Sequence, residues 1–332
     1  MSPWWFAVVV GVALIVYAVT AGADYGAGVW DLLARKPSRP DVRKHIEHAL
    51  GPIWEANHVW LIFIVVTMFT VFPKAFSVIV TALHIPLTLA LIGMVVRGAA
   101  FVFRAYGMDT QAHRRGWGIA FGAASVGTPI ALGMCLAGLS SGAINVENGV
   151  VVSGFLAGWW SVFGVVTGVF ALCLFLFLSA VYLCWDAGDD EREVRAWFRQ
   201  RALVMQGVGF VAAAAVAVAA ALQAPLLFAQ LWSASWALPA QGLVFLLAVA
   251  VTMCLVTHRY RLARLLAPLQ VAVIVAGFGL ALDGHLVVPD IGIDDAGARD
   301  VVMEPLLPVL VAGMLLVLPS LWLLFRLFKR RA

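Results

Sequence analysis

Glu55 and His58 lie three residues apart in the stretch Gly51-Pro-Ile-Trp-Glu-Ala-Asn-His-Val-Trp60. Gly51-Pro52 suits a helix start, because the fixed φ of proline fits the first helical turn. Glu55 then falls in that first turn, where the positive end of the helix dipole favours a carboxylate, and His58 shares its face. Asn57 lies between them. A second acid, Asp24, stands in Gly22-Ala-Asp-Tyr-Gly-Ala-Gly28, also at the edge of a long apolar run. Trp54 and Trp60 fit the aromatic belt of a membrane surface. Titratable groups gathered at a membrane mouth make a candidate proton entry point; the plainer reading is an interfacial acid facing water.

The elements that position these residues are membrane spans. The chain has 332 residues, 63% apolar and 12% charged, with a mean hydropathy of +0.97. Soluble domains carry about twice that charge. Apolar runs of about 20 residues recur, which is the length of a spanning helix, and they lack the alternation of barrel strands. The pattern predicts an all-α polytopic membrane protein, a single domain over 1–332 without linker or clear internal repeat. Nine spans are expected at about 4–23, 54–72, 76–103, 117–139, 155–184, 203–222, 241–257, 265–282 and 305–325. Pro86 is expected to kink the third. Residues 41–50 read as a short surface helix, with Val42, Ile46 and Ala49 at helical spacing.

Other classes are disfavoured. The basic residues sit in short loops between spans, which argues against nucleic-acid binding. All four cysteines fall inside apolar runs, and Cys173 and Cys184 would lie about 16 Å apart on one helix, too far for a disulfide. No CxxC, metal-ligand spacing or GxxxxGK[ST] loop occurs. No basic stretch precedes the first apolar run, so no signal peptide is expected.

Charge orients the spans. The segments after spans one, three, five and seven, with the C-terminal tail, hold nineteen of the 22 Lys and Arg residues. The opposite segments hold Lys74 and Arg299, and Arg97 lies within a span. The positive-inside rule then puts the N-terminus outside and the C-terminus in the cytoplasm, with Asp24 and Glu55 together at the cytoplasmic ends of spans one and two.

Arg97 reads either as a side chain snorkelling to the headgroups or as the partner of a carboxylate, Asp24 or Glu55 by depth. His84 reads as a packing residue beside Pro86, with a heme or metal ligand as the sharper alternative; no second His follows at i+4. His285 and Asp283 read as a solvated helix end, and His45, His48, His113 and His258 as solvated loop residues.

Three stretches resemble subunit II of the cytochrome bd-type quinol oxidases: Thr20-Ala-Gly-Ala-Asp-Tyr-Gly26, Gly51-Pro-Ile-Trp-Glu-Ala-Asn-His-Val-Trp-Leu-Ile62, and Arg97 with Phe103-Arg104. The order of the stretches and the nine expected spans agree with that family, and the length is similar to its shorter, cyanide-insensitive branch. The resemblance implies two four-helix bundles plus one peripheral helix, in the bacterial cytoplasmic (inner) membrane. It implies a partner, subunit I, carrying two b-type hemes, one heme d and the quinol site, while this chain binds no heme or metal through ligands of its own. Small single-span subunits, quinone and lipid are further partners in this picture. It also implies that Glu55, where many relatives have Asp, begins a cytoplasmic proton path with Asp24, Asn57 and His58, and that Arg97 is a charge partner. Relatives often have Thr-Asp-Gly where this chain has Thr20-Ala21-Gly22. The function implied is support of subunit I and supply of protons for reduction of oxygen to water. The competing reading is a proton-coupled transporter, which calls for acids at the midplane and paired discontinuous helices; a third is a purely structural membrane scaffold.

Overall fold

The computed structural model describes residues 2–34, 40–50, 54–108, 110–188 and 191–329. The first half of the chain contains α1 (Trp4–Leu33), α2 (Pro40–Leu50), α3 (Trp54–Val71), α4 (Pro73–Ala82), α5 (His84–Tyr106) and α6 (Gln111–Ser140). After the hairpin of β1 (Val146–Glu147) and β2 (Val150–Val151) come α7 (Val162–Asp186), α8 (Arg192–Gln223), α9 (Pro225–Ser233), α10 (Ala237–Val256) and α11 (Tyr260–Ala281). A second hairpin, β3 (His285–Val287) and β4 (Ile291–Gly292), leads through α12 (Ile293–Ala296) to α13 (Asp300–Lys329). Among the described residues eight helices are long and apolar enough to span a membrane, or nine if the bent pair α3–α4 counts as one. Their outward faces carry large apolar side chains such as Ile62, Phe69, Val95, Val211 and Leu246. Lipid solvates such faces, so they do not destabilise the bundle.

Helices α1, α3, α5 and α6 form one bundle and α7, α8, α10 and α11 the other, with α13 against the outer side of α3. The bundles meet where α1 and α6 pack on α7. At this seam Gly26 has no room for a side chain: a Cβ there would run into the main-chain oxygen of Phe175 and into Ser179 Oγ. Small residues at such a seam let two helices approach closely enough for dispersion to hold them. Trp30, Ile46, Leu178, Phe198 and Leu255 build the shared core beside it.

Several expectations are corrected. The first span does not stop at 23; α1 continues to Leu33, so Asp31 is a helix residue and fully buried. The expected third span at 76–103 is two helices. The chain turns by 119° between α3 and α4, and α5 begins only at His84. Pro86 is the third residue of α5, where a missing N–H costs no helical bond, so the break lies before it and not at it. The expected fifth span begins at Val162, capped by Ser161 Oγ accepting from Gly164 N, and not at 155. The sixth starts earlier, at Arg192. The segment at 41–50 is helical as expected, but its apolar face is turned inward, with Val42 and Ile46 buried.

A repeat that hydropathy did not reveal is present in the order of elements. Leaving aside α2, which lies between α1 and α3, in each half two long helices precede a short proline-led helix, and two more long helices follow. Pro73 and Pro225 open the short helices. The preceding residues, Phe72 (φ −122°, ψ 55°) and Ala224 (φ −142°, ψ 61°), take nearly the same non-helical conformation. Proline disfavours the helical region for the residue before it, which explains both breaks.

A ladder of acids and arginines along α1

The charged side chains gather at the end of the first bundle where α1 finishes and α3 begins. Asp24 and Asp31 stand seven residues apart on α1, and Arg97 and Arg104 seven apart on α5. Two turns of helix return a side chain to nearly the same face about 10.5 Å further on. The result is two rungs. In the inner rung Arg97 Nη1 donates to Asp24 Oδ2 at 2.7 Å, and Nη2 donates to Oδ1 at 2.7 Å and to the Asp24 carbonyl at 3.1 Å. Arg97 Nε donates to Ser125 Oγ at 3.1 Å, and that hydroxyl donates to the Phe121 carbonyl at 2.7 Å. The guanidinium lies between the rings of Tyr25 and Phe121, 4.7 Å from each centroid. Arg97 is 3% exposed, so it does not snorkel.

In the outer rung Arg104 Nη1 donates to Asp31 Oδ2 at 2.7 Å and Nη2 to Oδ1 at 3.4 Å, while Arg43 Nε donates to Oδ1 at 3.2 Å. Glu47, half exposed, pairs with both arginines. Beside it His45 is buried, its Nδ1 2.7 Å from Glu191 and its Nε2 3.2 Å from the Leu183 carbonyl. His45 is therefore not the solvated loop residue expected. It pins α2 across the ends of α7 and α8.

Close packing makes the inner rung possible. A Cβ at Gly28 would collide with Ser125 Oγ, so glycine there leaves the hydroxyl free to reach Arg97. Above the rung Tyr17, Tyr25, Trp60 and Phe175 form a buried aromatic cluster.

The remaining expected residues divide. Glu55 belongs to the first turn of α3, and its side chain, with the preceding Gly51–Ile53, lies outside the described residues. Asn57 is buried and His58 half-buried on the same helix. Trp60 packs with Tyr17 and Tyr25, and the helix runs about 7.5 Å from there to Glu55, toward the ladder end. His84 is exposed, its Nδ1 2.8 Å from the Thr81 carbonyl and its ring edge-on to Phe155. That geometry does not present a ligand to an interior site. Among the described residues no group of three His, Cys, Asp or Glu side chains is arranged to hold a metal. His113 touches the Phe103 carbonyl, and Asp283 accepts from Gln230 Nε2; His48 lies outside the described side chains.

Sequence reasoning missed Asp31, Arg43, Glu47 and Ser125. The signal was present as matching seven-residue spacings, 24 to 31 and 97 to 104, but only a helix drawn through residue 31 makes it visible. Chemically, both oxygens of Asp24 are taken by one guanidinium and both of Asp31 are shared between two arginines. Bidentate bonds of this kind fix geometry as well as charge.

The comparisons agree with the fold. The E. coli (strain K12) "Cytochrome bd-I ubiquinol oxidase subunit 2" is 28% identical over 207 residues, 60% of this chain, and the match spans about half (53%) of that relative's length. The Bacillus subtilis (strain 168) "Cytochrome bd ubiquinol oxidase subunit 2" is 26% identical over 66% of this chain and 62% of its own. The solved structure of bd oxidase from Geobacillus thermodenitrificans superposes on 98% of both chains with a TM-score of 0.81 and 26% identity. The family model of cytochrome bd terminal oxidase subunit II matches residues 1–328, and the chain belongs to that family.

Proposed function

We propose that this chain is the heme-free subunit of a respiratory quinol:oxygen oxidoreductase. It pairs with a subunit I that holds two b-type hemes, one heme d and the quinol site. It lies in the bacterial cytoplasmic membrane with its N-terminus outside and its C-terminus inside. The family match along residues 1–328 carries the reading. The buried ladder supports a division of labour within it. Arg97 and Asp24 hold the helix ends in register, and Glu55, with Asn57 and His58 on the same helix, admits protons from the cytoplasmic side. Oxygen reduction consumes protons, and hydrocarbon does not conduct them, so a path of polar groups or water is required.

The two proline-led breaks are the features that favour a proton-coupled transporter, since transporters bind at discontinuous helices. Both breaks, at Phe72 and Ala224, lie at the ends of α3 and α8 remote from the acid–arginine ladder. That separation favours the oxidase. The test is affinity purification of a tagged chain from its native membrane, followed by a visible spectrum. A larger subunit with b-type and heme d bands is expected. Purification alone, or with heme held by one of this chain's own histidines, overturns the proposal.

A further inference from the structure

A cavity of about 960 Å³ opens at the far side of the second bundle, where α7 ends, α8 begins and α10 turns into α11. Five arginines line it: Arg192, Arg195 and Arg199 from α8, Arg259 from the turn and Arg261 from the start of α11. None of its described lining residues is acidic. We propose that this cavity is a binding site for the headgroup of an anionic phospholipid. The proposal rests on the chain's spanning a membrane.

Three observations lead to it. The cavity is built. Arg195 Nε donates to the Ala187 carbonyl at 2.9 Å and its guanidinium stands 5.3 Å from the Tyr260 ring. Arg199 Nη1 lies 3.0 Å from His258 Nε2, and His258 Nδ1 lies 2.6 Å from the Tyr260 hydroxyl. His258 holds φ +59°, a left-handed conformation that non-glycine residues rarely adopt and that clusters at functional sites. Second, three of these arginines, Arg192, Arg259 and Arg261, lack an acidic partner among the described residues, in contrast to Arg43, Arg97 and Arg104. Guanidinium groups gathered around one cavity repel each other, and a ligand with several anionic oxygens relieves that repulsion. Guanidinium groups bind phosphate through paired N–H donors.

Third, the position selects a lipid over a free anion. The cavity lies at the ends of four spans, at the level of the headgroups. Trp185, stacked under Arg264 at 3.7 Å, and Tyr260 are residue types that settle at that level. The rim continues into apolar surface at Val256, Leu262, Leu265 and Leu269, each about half exposed or more. Acyl chains have a face to lie on there, which a soluble phosphate would not use. Basic pockets between membrane helices are where acidic headgroups bind.

The test uses the purified complex containing the full chain, stripped of lipid in neutral detergent. Phosphatidylglycerol, phosphatidylcholine or inorganic phosphate is added, and retained ligand is read by native mass spectrometry alongside the melting temperature. Phosphatidylglycerol should be retained and raise the melting temperature; phosphatidylcholine and phosphate should do neither. Arg259→Gln with Arg261→Gln should weaken retention about twenty-five-fold, at roughly a factor of five for each arginine near an acidic headgroup. Arg192→Gln alone should weaken it about fivefold, and serves if the double variant does not assemble. Lys74→Gln with Arg299→Gln, the same loss of charge at the opposite end, should leave it unchanged. Equal retention of phosphatidylcholine, the same shift with inorganic phosphate, or full retention by the Arg259, Arg261 and Arg192 variants overturns the proposal.

Discussion

Arg97 and Asp24 are joined by two bonds of 2.7 Å each while the arginine is almost wholly sealed from solvent. The pair is separated by 73 residues in sequence, and so is the pair Arg104–Asp31. Equal separation at both rungs means that α1 and α5 run in the same direction, with the same register repeated after one heptad. Guanidinium groups on one helix reach carboxylates on the other and tie together two members of the first bundle.

Breaking one partner of the inner rung should be costly. In Asp24→Asn the buried guanidinium keeps its charge and loses its counter-ion. Loss of one partner of a buried pair costs about 3–5 kcal/mol. The melting temperature of the complex should therefore fall sharply. Replacing both partners, Asp24→Leu with Arg97→Met, should recover most of that loss, since an apolar pair of similar volume needs no desolvation. An Asp24→Asn complex as stable as wild type would show that the rung does not hold the bundle.

The seam between bundles gives a second expectation. Gly26→Ala places a Cβ against the Phe175 main-chain oxygen, which cannot rotate away. Overpacking of this kind costs about 1–3 kcal/mol. Gly11→Ala, where nothing lies within 4 Å, should be neutral or slightly stabilising because alanine is the better helix former. Thermal melts of the two variants should therefore diverge, and identical melts would remove the seam from the account.

Much of this fold was legible in the sequence, and the failures have physical causes. Hydropathy located the helices because every spanning segment must satisfy its own backbone in lipid. It misjudged where they end. Asp31 scores as loop, yet it is buried because Arg104 and Arg43 neutralise it from α5 and α2, a tertiary fact that no local average contains. Residues 76–103 are mostly apolar, so their hydropathy does not record the break at Leu83 that divides them between α4 and α5. The element repeat escaped for a similar reason: it resides in two Xaa-Pro breaks and not in similar residues. Arg97 was recognised as unusual because a charge inside a span needs a partner. Depth narrowed that partner to Asp24 or Glu55, and the geometry selects Asp24.

Topology is open to a direct measurement. Nineteen of 22 basic residues lie on one side of the predicted spans, so the C-terminus should be cytoplasmic. A fluorescent reporter fused after Arg331 should light up, and an alkaline phosphatase fusion at the same point should be inactive. An active phosphatase would invert the orientation and with it the side from which protons enter.

Glu55 is the residue on which the proposed proton path depends. Asp24 and Asp31 have their carboxylate oxygens engaged by arginines. Glu55 starts α3, on the same helix as the buried Asn57 and half-buried His58. Glu55→Gln keeps the shape and the capacity to hydrogen-bond but cannot take up and release a proton as a carboxylate does. It should slow quinol-driven oxygen uptake about a hundredfold, the low end of losses of about 10²–10⁴ on removing a proton-transferring group. Assembly and heme content should stay normal. Glu55→Asp should retain much of the rate, because it shortens the side chain by one methylene and keeps the acid. Oxygen uptake by Glu55→Gln at the wild-type rate across a broad pH range, with intact heme, would return Glu55 to the role of an interfacial acid facing water.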